Sequence, residues 1–174
     1  MDQGQGNSGP GRTFFVTIPF LPPTGNHIYI TDWRRKKRFL SSEAAAFKQR
    51  VITHIGQEKG FAALKYWADV AKDPYNIFSI YLVFYFPHED LVNETFGKLK
   101  KDGTPAKEAA QTRYKRMDVE NRVKLSVDSV AEAIAIDDCL FFDGGHAKCS
   151  ARLVGGQPQI HVYFDQADPA RFGL

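Results

Sequence analysis

Several features that would set this chain apart from ordinary globular proteins are scarce or missing. Two cysteines, Cys139 and Cys149, are too few for a disulfide framework. The first residues hold no basic segment followed by an apolar core of the kind that directs secretion, so a reducing cytoplasm is the expected setting. No apolar run approaches the length that spans a bilayer, since the most apolar window, 77–86, contains Ser79; no membrane partner is expected. An excess of charge of either sign is also missing, with 23 basic side chains against 20 acidic ones. With a net charge of +3 and a pI near 8.8, composition alone does not call for a nucleic-acid partner, which requires clustered charge.

What is present suits one compact domain. The 174 residues are 43% hydrophobic and 13% aromatic, enough to bury a core without disulfide or metal staples. Residues 1–12 are mostly Gly, Gln, Asn, Ser and Pro and are expected to form a flexible tail. The domain is expected over 13–165, with a short tail at 166–174. Residues 13–20 read as a strand that stops at Pro22-Pro23-Thr24-Gly25-Asn26. A loop follows, carrying Trp33 and the basic run Arg34, Arg35, Lys36, Lys37 and Arg38. Ser42 can cap a helix over 43–57, with Gly56 or Gly60 near its end.

Residues 75–86 alternate poorly and read as a strand buried on both faces, ended by Pro87. The stretch 88–116 is polar and lysine-rich, with Gly97, Gly103 and Pro105, and reads as a long surface insertion of unassigned role. Residues 119–134 give the clearest helix, because Val119, Val123, Val127, Val130 and Ile134 fall within an arc of about 80°. Two strands, 139–142 and 159–164, are expected to form a hairpin around Gly155-Gly156. The order β, α, β, α, β, β implies an α+β domain with a mixed sheet and helices packed chiefly on one face.

The chemistry-bearing residues gather on the second helix. Glu120, Asn121, Lys124 and Asp128 occupy an arc of about 100° beside the apolar stripe, Asp118 precedes the helix, and Asp137-Asp138 follow it. Clustered carboxylates raise one another's pKa unless a cation compensates, and a hard, oxygen-loving ion such as Mg2+ is the natural occupant. A carboxylate-held Mg2+ beside a lysine is the logic of phosphodiester hydrolysis. On spacing alone, a plainer reading stands beside it. Glu120 and Lys124 form an ordinary i,i+4 pair, and acidic residues before a helix complement its dipole.

The run Asp118-Val-Glu120-Asn121-Arg-Val-Lys124, followed by Asp128 and Asp137-Asp138, resembles the signature D-x-D-N-x-x-K, D, D-D of the RusA family of Holliday junction resolvases. Thr17-Ile18-Pro19-Phe20-Leu21-Pro22-Pro23-Thr24-Gly25-Asn26 resembles that family's opening strand and Pro-Pro loop. Leu40-Ser41-Ser42-Glu43 with Phe47 resembles the start of its first helix. Lys148, ten positions after Asp138, matches a recurrent basic position. The similarity spans about 13–164, apart from the lysine-rich insertion.

The resemblance implies a RusA-like fold and a magnesium-dependent endonuclease, with Mn2+ a possible substitute and no small-molecule cofactor. It makes Asp118, Glu120 and Asp138 the metal-binding carboxylates and Lys124 the catalytic lysine. Asn121, Asp128, Asp137 and Lys148 become supporting residues. It further implies a homodimer that presents one site to each of two strands of a four-way DNA junction. One position departs: Glu120 stands where the family usually has Asp, and the extra methylene moves its carboxylate by about one bond length. Two alternatives remain open at this point, a branched-DNA-binding protein that does not cut and a nuclease of flaps or other branched forms.

The basic run 34–38 sits where it can grip phosphates, with Trp33 or Phe39 wedging at a crossover; a solvated charged loop is the bland reading. A zinc site from Cys139, His146, Cys149 and His161 is not expected, because the spacing matches no common pattern. Tyr66-Trp67 and the aromatics of 75–86 are read as core.

Overall fold

The computed structural model describes residues 13–107, 109–117 and 119–173. The expected tail 1–12 lies outside the described residues. Strand β1 (Thr13–Ile18) is built of β-branched and aromatic residues and buries every second one, Phe14, Val16 and Ile18. After the proline turn come two short strands, β2 (Tyr29–Asp32) and β3 (Lys37–Leu40), paired antiparallel as a hairpin. The loop expected here is therefore ordered β-structure. Its turn uses no Asn-Gly signal. The Asp32 carboxylate accepts from the backbone N–H groups of Arg34 and Arg35 at 3.0 and 3.2 Å, and Lys36 takes φ 51°.

Helix α1 (Ser42–Val70) starts one residue earlier than expected, with the Ser41 hydroxyl accepting from the Ala44 N–H at 3.1 Å. Gly60, at φ 72° and ψ 163°, breaks it into two helical stretches. The expected stop is thus a kink, and the second stretch carries Trp67 into the core, its ring centroid 4.6 Å from that of Phe164. Tyr66 stays half exposed, so only one of the two adjacent aromatics is core.

Strand β4 (Ile77–Phe86) is followed by a single helical turn, α2 (His88–Leu91), then by the insertion, α3 (Glu120–Ile134), β5 (Phe141–Ser150) and β6 (Gln159–Ala167). The four long strands form one mixed sheet in the order β1-β6-β4-β5, with β4 and β5 parallel and the other pairs antiparallel. The expected β5–β6 hairpin is not made, because β4 lies between them. The β4–β5 pair is parallel because α3 returns the chain to the same end of the sheet, as parallel pairing demands. Strand β5 also begins later than the expected 139–142, since Asp138–Leu140 form a 3-10 turn.

Both helices pack on one face of the sheet. There Phe78, Ile80, Leu82, Phe84 and Phe86 of β4 meet Ile160, Val162 and Phe164 of β6. On α3, Val119, Val130 and Ile134 are buried as the stripe implies, while Val123 and Val127 are partly so. Leu125, Ser126, Ser129 and Ala131 are buried as well, because α3 packs against α1 while its apolar stripe joins the core on the sheet. The buried hydroxyls of Ser126 and Ser129 donate to the carbonyls of Arg122 and Leu125, at 2.8 and 2.6 Å.

The opposite face corrects the expectation that β4 is buried on both sides. Tyr81 is 45% exposed, and Phe15 and Tyr163 beside it are 40% and 39% exposed. At the far end, β6 runs to Ala167 and Pro169–Phe172 form a 3-10 turn, with Phe172 6.0 Å from Phe142. Residues 166–173 thus belong to the folded surface rather than to a tail. Among the described residues no helix is long and apolar enough to cross a membrane.

Candidate functional site

Helix α3 and the strand beside it position the candidate site. Val119, held at φ −115° and ψ −4°, lets the chain enter α3 directly, so Glu120, Asn121 and Lys124 occupy its first turns. The helix ends where Ala135 turns left-handed and the Ile136 N–H donates to the Ala131 carbonyl at 2.9 Å. This reversal folds Asp137 and Asp138 back along the helix beside Asp128. Together with Lys48 of α1, Glu132 and Ala131, they line an open cleft of about 300 Å³.

The electrostatics of the cleft follow from that crowding. Burial pushes the Asp128 carboxyl up from its ordinary value; Lys124 opposes the rise, Asp138 adds to it, and Lys48 opposes it again. The Lys48 ammonium pairs with Glu132 at 2.5 Å. Asp137 is tied to the backbone, accepting from the Cys139 N–H at 3.0 Å, and that bond holds its carboxyl low. Its role is to cap the 3-10 turn that presents Asp138. The same carboxylate, as hydrogen-bond partner, pushes the exposed Cys139 thiol up.

At the other end of the helix a second group assembles. His146 and Lys148 lie two apart on β5, in register with Leu82 and Phe84, and therefore rise from the helix-covered face toward the start of α3. The His146 imidazole lies 3.9 Å from the Glu120 carboxylate, and the Lys148 ammonium donates to the Met117 carbonyl at 3.1 Å. Gly25, in the turn after the Pro-Pro pair, faces Asn121, and a Cβ there would sit in ordinary contact, 3.6 Å from the Asn121 amide. Sequence reasoning does not bring His146 to this site. Its period-two spacing from Lys148 is the signal that can place it there.

Of the three carboxylates implied as ligands, Asp118 lies outside the described residues. Glu120 begins α3, about 12 Å of helix axis before Asp128. It is Asp128, not Glu120, that shares the cleft with Asp138. Among the described residues no three His, Cys, Asp or Glu side chains are close enough to hold one metal ion. Lys124 lies between the two groups, one helical turn from each of Glu120 and Asp128.

The basic run is divided by the hairpin. Arg34, Arg35 and Lys36 form its tip, while Lys37 and Arg38 belong to β3. Arg38 stacks its guanidinium over Tyr29, 4.1 Å from the ring centroid, and Arg35 lies 3.7 Å from Asp32. Trp33 at the tip is 85% exposed and Phe39 is 47% exposed. No protein-family model matches this chain, and no curated protein is similar to it at a significant level.

Proposed function

We propose that this protein is a divalent-metal-dependent endodeoxyribonuclease of the RusA type, which resolves four-way DNA junctions by paired phosphodiester hydrolysis. The observation that carries the reading is the flank of α3. It aligns Glu120, Lys124 and Asp128 along one side, brings Asp138 back beside Asp128, and receives His146 and Lys148 from β5. The oxygen donors suit a hard ion, and the Asp128 carboxyl, raised mainly by burial and further by Asp138, is a group whose charge a cation in the cleft would stabilise. By the resemblance Asp118, Glu120 and Asp138 would hold Mg2+, with Mn2+ as a substitute, although among the described residues Asp138 shares its cleft with Asp128 and Glu120 stands at the other end of α3. Such an ion polarises a phosphoryl oxygen and makes water a stronger nucleophile.

The chain's own residues supply the remainder. Lys124 offers its ammonium to the charge that develops on the phosphate. Lys148, anchored to the Met117 carbonyl, holds the backbone immediately before Asp118. The His146 imidazole stands beside the Glu120 carboxylate at the start of the helix. Trp33, exposed at the tip of a basic hairpin, would enter an unstacked crossover. Two opposed cuts require two copies, and the uncovered sheet face around Phe15, Tyr81 and Tyr163 offers them an apolar surface. In this reading the protein serves DNA recombination and repair.

A second reading is favoured by one observation. Glu120 keeps company with His146 and not with Asp138, so the described carboxylates do not close a three-ligand site. A protein of the same fold that binds branched DNA without cutting it would tolerate that arrangement. Purified protein incubated with a synthetic four-way junction and matched duplex, with Mg2+ or EDTA and beside Asp118→Asn, separates the readings on a denaturing gel. Paired, junction-specific cuts that need both Mg2+ and Asp118 are expected. Tight junction binding without cleavage under Mg2+ or Mn2+ would leave the binding protein, and unpaired cuts on flaps would replace the junction as substrate.

A further inference from the structure

The modest net charge of +3 conceals a segregation. Residues 29–40 carry five basic side chains and one acidic, and residues 92–116 carry seven and three. The other 137 residues hold 11 basic side chains against 16 acidic ones. All the surplus positive charge therefore sits in two excursions, while the rest of the protein is net negative. A surface built for solubility intersperses both signs, whereas a segregated one focuses a field.

The second excursion has a defined form. Its base is closed where Val92 bridges Tyr114 and the Asn93 N–H donates to the Arg113 carbonyl at 2.9 Å. The Asn93 amide adds a bond to the Thr112 carbonyl at 2.7 Å. Inside, Leu99 bridges Pro105, the Lys100 N–H donates to the Thr104 carbonyl at 2.7 Å, and Gly103 turns at φ 80°. This turn sets Lys100 and Lys101 at an exposed tip. The Asp102 carboxylate beside them is tied down by the N–H and hydroxyl of Thr104, at 3.0 and 2.6 Å. The described salt bridges involve none of Lys100, Lys101, Lys107 and Arg116.

Both excursions are joined in the chain to segments at the start of α3. The hairpin follows the turn in which Gly25 faces Asn121, and residues 92–116 lead directly into Met117, whose carbonyl Lys148 holds. We infer that residues 92–116 form a second phosphate-gripping arm, which binds the backbone of duplex DNA through Lys100, Lys101 and Lys107 next to the candidate site. The inference rests on the branched-DNA reading above. The arm touches phosphates alone, so it adds affinity for any duplex and carries no sequence preference.

The test is equilibrium binding of the full chain, in EDTA, to a fluorescent four-way junction and to plain duplex across a range of salt. Replacing Lys100, Lys101 and Lys107 by Ala is expected to lower the slope of log K against log salt by about 2 to 3, roughly 0.9 for each phosphate that is no longer neutralised. Junction and duplex should weaken by the same factor. A matched variant removing Lys59, Lys65 and Lys72 from α1 and the turn after it makes the same change in net charge and is expected to leave the slope in place. Thermal melts of both variants check that each is folded. If wild type binds the junction and the insertion variant keeps its slope, the arm is refuted and the branched-DNA reading stands. Equal loss of slope in both variants would reduce the effect to net charge and also overturn the arm. Wild type that binds no branched DNA removes both.

Discussion

The two faces of the central sheet come from the same strands, one residue apart, yet only one is sealed. On the helix-covered face Leu82, Phe84, Ile160, Val162 and Phe164 are essentially without solvent contact. On the other, Tyr81, Tyr163 and Phe15 remain 39–45% exposed, and His161 and Tyr85 are partly covered by one another, their ring centroids 4.6 Å apart. Burial there is incomplete enough to matter electrostatically only at the margins: it pushes the Tyr85 phenol up and the His161 imidazole down. The difference teaches that one face supplies the stability of this domain, whereas the aromatic residues of the other leave it with surface to share.

The sharpest way to test that contrast is to truncate one ring on each side. Phe164→Ala on the sealed face is expected to cost about 3–5 kcal/mol, because the site is ringed by Phe14, Trp67, Phe78 and Phe141 and cannot collapse. Urea denaturation measures it; a loss below about 1 kcal/mol would mean the sealed face is not the core.

Two adjacent glycines of β5 ask the same question with added atoms. A Cβ at Gly144 would lie 3.0 Å from the backbone carbonyl oxygen of Ile80, which cannot step aside. A Cβ at Gly145 would lie 2.9 Å from the Tyr81 ring on the open face, which can rotate into solvent. Gly144→Ala should therefore destabilise by about 1–3 kcal/mol, and Gly145→Ala by less than about 1 kcal/mol. Equal melting temperatures for the two would erase the distinction between the faces.

On the open face itself, the Tyr81→Ala, Tyr163→Ala double variant should change monomer stability by less than Phe164→Ala does. Its larger effect is expected in sedimentation, as a shift from dimer to monomer at equal concentration, if this face is where two copies meet. Unchanged sedimentation of a dimeric wild type would move the interface elsewhere.

The smallest expected effect lies at the rim of the sealed face, on half-buried Asp128. Its folded pKa is raised, so the fold binds that proton more tightly than the unfolded chain does. Stability from this group is therefore present below the unfolded pKa, near 3.9, and declines as pH rises through the folded value. Asp128→Asn escapes the decline. Thermal melts in EDTA should find it matching wild type near pH 3 and melting slightly higher near pH 7. A lower melting temperature at neutral pH would mean that the charged carboxylate is held by Lys124 and Lys48 more strongly than burial penalises it.

Much of the architecture was legible in local pattern. The alternation of β1 and β6, the stop at Pro87 and the apolar stripe of α3 all arise from side chains choosing a face, and α1 begins within one residue of its expected start. The β2–β3 hairpin was not legible, because its turn is made by the Asp32 side chain and a left-handed Lys36 in place of glycine. In the candidate site, helical spacing put Lys124 one turn from Glu120 and from Asp128. The return of Asp138 to Asp128 depends on Ala135 adopting the left-handed conformation, which alanine rarely does and its sequence does not announce.

By itself, then, the sequence determined where β1, α1, β4, α3 and β6 begin or run, which side of α3 is apolar, and the order of charged residues around α3. Those properties are set within a few residues of one another. Only the tertiary structure decided that β4 separates β5 from β6, that one sheet face stays open, and that Glu120 meets His146 while Asp128 meets Asp138. Strand order is a competition among distant pairings, and it is settled by which arrangement lets α1 and α3 cover one face together.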